Sequence, residues 1–64
     1  MSLIYLEDGD GNTLTIVASK ITAIQSKRVP TNTPTIVWLD NGSHFDVRGS
    51  ADIAQQKLAA ALKP

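Results

Sequence analysis

The chain has no cysteine and a single histidine in 64 residues. The first absence excludes disulfides and thiolate metal sites, and the second excludes a histidine-rich metal centre. A chain of this length buries only about 60% of its unfolded surface, so its own core is marginal. Disulfides, a metal or oligomerisation are the usual supports. With the first two removed, self-association or very good packing remains. Net charge is also lacking, because six basic residues face six acidic ones. Nucleic-acid affinity draws mainly on Lys and Arg neutralising phosphates. Here Lys20, Lys27, Arg28, Arg48, Lys57 and Lys63 are scattered along the chain, which argues against that role. No apolar run approaches the ~20 residues needed to cross a bilayer. Residues 1–7 show neither the basic nor the apolar region of a signal peptide. A cytoplasmic protein is the expectation.

The strongest structural signal is residues 35–48, T-I-V-W-L-D-N-G-S-H-F-D-V-R. Asn41-Gly42 is the favoured pair for a two-residue type I′ turn, in which both positions take φ > 0. That turn predicts Leu39 opposite His44, Trp38 opposite Phe45, Val37 opposite Asp46 and Ile36 opposite Val47. Directly opposed residues share a face of the sheet. Ile36, Trp38, Phe45 and Val47 then form a wholly apolar core face. Val37 and Leu39 fall on the second face with His44 and Asp46, as a half-apolar strip.

The rest of the chain reads as follows. Residues 2–7 (S-L-I-Y-L-E) form a short strand whose four consecutive apolar residues suit cover on both faces or burial at an interface. Residues 8–12 (D-G-D-G-N) are a turn cluster. They resemble part of a calcium loop, but starting at Asp8 puts Thr13 where glycine belongs and Ser19 where the last glutamate belongs. A plain hairpin loop is expected. Residues 13–18 alternate as a strand, with Leu14 and Ile16 on one face. Residues 21–26 form a strand that begins after a kink or bulge near Ser19 and Lys20. Residues 27–34, with two prolines, form an exposed loop. Ser50 is a good N-cap and Asp52 suits the first helical turn. Residues 51–62 are then a helix with Ala51, Ala54, Leu58, Ala61 and Leu62 on its buried stripe and Ile53 off it. The fold class is α+β and mainly β. It is one domain over 1–64, a small antiparallel sheet of four or five strands (hairpin 35–40/43–48) with one C-terminal helix (51–62).

The candidate chemistry is thin. His44 shares a face with Asp46, and Ser43 or Ser50 could complete a triad. No elbow motif or oxyanion site accompanies them, and a surface histidine beside a carboxylate is the better reading. Gly9 and Gly11 are not followed by a helix, so no phosphate loop exists. Trp38, paired with Phe45, reads as core rather than as a base-stacking residue. The expectation is a non-enzymatic protein with no catalytic residue, metal or cofactor. It self-associates and contacts an unknown protein through an apolar strip containing Val37, Leu39 and Ile53. The alternative is a nucleic-acid-binding module that repeats Lys27, Arg28 and Arg48 around an oligomer.

A wider pattern joins Gly11, Leu14 and Ile16 to Ile21 and Ile24. After a proline-containing loop it continues with Thr35-x-Val37-x-Leu39-x-Asn41-Gly42, then Val47, then Ser50 opening a helix that runs to Leu58. This pattern resembles the small flagellar FlbD-type (SwrD-like) proteins over most of the chain. The longer 27–34 loop and the Ala-rich helix depart from it. The hairpin-then-helix ending is also similar to the close of LytTR-type DNA-binding domains, whose basic residues and length are missing here. In size the chain is similar to small prophage-encoded proteins of unknown function. The FlbD-type resemblance implies a small cytoplasmic accessory protein rather than an enzyme, and carries over no functional residue.

Overall fold

Alternating β-branched residues and two glycine-containing turns build two hairpins, and a capped Ala-rich segment closes the chain as a helix. The computed structural model describes residues 2–63. Strands β1 (Leu3–Glu7) and β2 (Thr13–Val17) pair antiparallel, and a 3₁₀ turn (Ala18–Lys20) leads into β3 (Ile21–Ser26). β3, β4 (Thr35–Leu39) and β5 (His44–Val47) form a second antiparallel sheet in that order, followed by helix α1 (Ala51–Leu62). The α+β class, the five strands and the helix limits agree with the reading of the sequence.

The first turn is self-contained. The Asp8 carboxylate accepts the amide hydrogens of Asp10 and Asn12, both at 2.9 Å. Gly11 takes φ +86° to close it. The acidic group is thus engaged by its own loop, as a plain hairpin loop requires.

The second hairpin differs from expectation by one residue. Leu39 N–H donates to the Ser43 carbonyl (2.8 Å) and Gly42 N–H donates to the Leu39 carbonyl (3.1 Å). The loop is therefore the three residues 40–42, and only Gly42 has positive φ, at +87°. Asn41 serves as a side-chain acceptor for Ser43 N–H at 2.9 Å. The opposed pairs become Thr35–Val47, Ile36–Asp46, Val37–Phe45 and Trp38–His44. A one-residue slip exchanges the faces. Thr35, Val37 and Val47 point inward and are fully buried, while Trp38 and Ile36 turn to the opposite side and Phe45 stays partly exposed. The physical reason is space. The interior that holds Val37 and Val47 is already filled by Ile4, Leu6, Ile16, Ala18 and Ala54, with Leu14, Ile21 and Leu39 packed against it, and an indole in place of a valine there would overfill it. Thr35 is tolerated inside because its hydroxyl donates to the Gly49 carbonyl at 2.8 Å.

β1 is covered on one face only within the chain, so of the two expected arrangements, cover on both faces or burial at an interface, the first does not hold. Ile4 and Leu6 are buried, whereas Leu3 and Tyr5 remain exposed. In β3 the register shifts between Ile21 and Ala23. This bulge explains why two isoleucines spaced three apart both pack against the core. Ser50 caps α1 by accepting from Ile53 N–H at 3.3 Å. Ala54, Leu58 and Ala61 face inward, while Leu62, expected on the same buried stripe, is exposed.

The 27–34 loop is tied down. Lys27 N–H donates to the Pro34 carbonyl at its base (2.8 Å), and the Asn32 amide donates to the Gly9 carbonyl (3.1 Å). The Arg48 guanidinium donates to the same carbonyl at 2.8 Å, joining first turn, long loop and the end of β5.

Candidate binding surfaces

The expected apolar strip does not exist as a surface. Val37 is fully buried, and Leu39 is half-buried against the core, for the register reason above. Ile53 alone of the three stands out into solvent, half exposed. The basic trio is not assembled either. Lys27 pairs with Asp46 at 3.0 Å and Arg48 is held by Gly9. Arg28 is exposed in the long loop. Asp46, the carboxylate near His44 in the sequence, is the one that pairs with Lys27. No group of three His, Cys, Asp or Glu side chains converges among the described residues.

Two other surfaces are present. The first is the open face of the three-stranded sheet, with cross-strand rows Ala23–Trp38–His44 and Gln25–Ile36–Asp46. The small Ala23 leaves room beside the indole. Trp38 Nε1 donates to Gln25 Oε1 at 3.2 Å, and its ring meets His44 at a centroid distance of 4.6 Å and an angle of 38°. The indole thus bridges β3 and β5 across the face.

The second surface joins β1 to the flank of α1. Leu3 and Tyr5 alternate outward from β1, and Ile53 and Ala60 lie on the helix beside Lys57. Lys57 Nζ donates to the Tyr5 carbonyl at 2.9 Å, which fixes the helix along the strand. Between them runs a shallow groove of about 420 Å³, lined by Leu3, Ile4, Tyr5, Lys57, Ala60 and Ala61. The four-residue apolar run in β1 concealed this face, because alternation into two environments looks the same as burial on both sides. No helix is long and apolar enough to cross a membrane among the described residues. Comparison with protein families, curated proteins and solved structures returns no match.

Proposed function

We propose that this chain is a small, non-enzymatic protein-interaction module that self-associates in the cytoplasm. One observation supports the reading: the balance between what is buried and what is left outside. Among the described residues seven apolar side chains are buried, and two of them are alanines and two valines. Leu3, Tyr5, Val29, Phe45, Ile53 and Leu62 remain exposed. A chain this short gains little from such a core, and a second copy is the economical source of further burial. Light scattering after size exclusion, across a dilution series, is expected to give a mass above the monomer's. If folding is coupled to assembly, the urea midpoint will rise with protein concentration. A monomer at every concentration overturns the proposal.

A second reading, single-stranded nucleic-acid binding, is favoured by the outward position of Trp38. Aromatic residues on an open sheet face can stack bases. The engagement of Lys27 and Arg48 by internal partners weighs against it. Trp38 is the only tryptophan, so its fluorescence reports directly on the face. This reading expects quenching by mixed single-stranded DNA or RNA at low salt, lost as salt rises. Unchanged fluorescence rejects it.

A further inference from the structure

A sheet edge is a row of unpaired N–H and C=O groups, and folds guard such edges with charges, bulges, short strands or a covering element. Three of the four outer edges here carry a guard. On β1 the Tyr5 carbonyl is taken by Lys57 and the Glu7 carbonyl by the Arg48 amide. β3 is bulged at Thr22 and packs beside α1. β5 has only four residues and carries Asp46. β2 has no such device. Its sequence T-L-T-I-V is uncharged, β-branched at all but Leu14, and in unbroken register with β1.

The hydrogen-bond phase shows what this edge offers. Ala18 N–H donates to the Ser2 carbonyl, and Asp8 N–H donates to the Asn12 carbonyl. Antiparallel ladders alternate bonded and non-bonded pairs. The even-numbered residues of the β1–β2 ladder are therefore the bonded ones. Thr13, Thr15 and Val17 aim both backbone groups away from β1, and β2 has no other neighbouring strand among the described residues. Thr13 and Thr15 are exposed, and Val17 is half-buried.

We infer that β2 pairs with β2 of a second copy, antiparallel, about a two-fold axis at Thr15. The inference rests on the proposed self-association and names its contact. Thr15 faces the partner's Thr15, and Thr13 faces the partner's Val17, each pair exchanging both of its backbone bonds. The two hairpins become one continuous four-stranded sheet. No like charges meet across the seam, because β2 carries none. The exposed face gains a Tyr5–Thr15–Thr15–Tyr5 row and two rows that place Leu3 and Val17 beside Thr13. Threonine and β-branched pairs of this kind stabilise antiparallel contacts.

Cysteine introduced at the axis tests the geometry, because the chain has no other thiol. Bonded antiparallel pairs stand about 5.5 Å apart at Cα, within disulfide range. Thr15→Cys is expected to form a covalent dimer on mild oxidation, whereas Ile53→Cys, exposed on the helix, is not. Thr15→Pro removes only the outward-facing donor, which an edge position tolerates. It is expected to raise the dimer dissociation constant by at least about tenfold. If circular dichroism shows that the proline variant unfolds, Thr15→Lys replaces it, placing like charges directly opposite each other. A cross-link at Thr15 with weakened association in the blocking variant supports edge pairing. An assembled parent that fails to cross-link at Thr15, cross-links through Ile53→Cys, or keeps its dissociation constant in the blocking variants overturns edge pairing and leaves self-association standing. A parent that is monomeric throughout overturns both.

Discussion

Val37→Lys will unfold the chain, and Trp38→Lys will not. Val37 is fully buried between the two sheets. An ammonium placed there has no partner and no water, and an uncompensated buried charge costs several kcal/mol. A 64-residue domain has a total stability of only about 3–10 kcal/mol. The substitution therefore removes most or all of it. The Trp38 side chain lies on the open face, so a lysine there keeps its charge in water. Its loss removes the bond to Gln25 and the contact with His44, together about 1–2 kcal/mol. Far-ultraviolet circular dichroism and urea titration of the two variants separate the cases. The register with Trp38 inside predicts the reverse order, so an unfolded Trp38→Lys beside a folded Val37→Lys would refute the three-residue loop.

Leu6→Ala is the second large effect. Leu6 is 5% exposed and belongs to the same core as Val47 and Ala54. Truncating a buried leucine costs about 2–5 kcal/mol, through lost transfer energy and the cavity left behind. At about 4–8 °C per kcal/mol for a domain of this size, the melting midpoint should fall by at least about 8 °C. Leu3 sits on the same strand with the opposite orientation and is 39% exposed. Leu3→Ala should cost under about 1 kcal/mol. Equal losses in the two variants would mean that β1 is covered on both faces, one of the two arrangements its apolar run suggested.

The elements were legible because their signals are local. Ser50 caps the helix it was expected to cap, residues 8–12 close a turn with Asp8, and β2 and β4 follow runs rich in β-branched residues. The register of the second hairpin was not legible. Asn-Gly suits a two-residue loop with both φ positive, and it also suits a three-residue loop with positive φ at the glycine alone. The choice rests on which side chains fit against Ile4, Leu6, Ile16, Ala18 and Ala54, residues distant along the chain. That choice carried the candidate surface with it, turning Val37 from surface to interior and Trp38 from interior to surface. The contacts of Lys27 with Asp46, and of Arg48 and Asn32 with Gly9, leave no sequence pattern at all, because they join residues distant along the chain. Ile53 was legible as an outlier on the helix, but its neighbours on β1 were not.

The two sheets share no ladder of their own. Among the described residues one backbone hydrogen bond, from the Arg48 N–H to the Glu7 carbonyl, joins β1 to the end of β5. What unites them is side-chain packing, with Ala54 of the last element in the common interior, together with the bonds of Arg48 and Asn32 to Gly9. Hairpins form locally within about 1–10 μs, so each half of the molecule can assemble early and by itself. Neither has a second layer to shield its apolar face until the other docks and the helix arrives. Loop-closure entropy makes such distant contacts the slow ones. The time between hairpin formation and docking is the interval in which the apolar faces of this chain stand open to its neighbours.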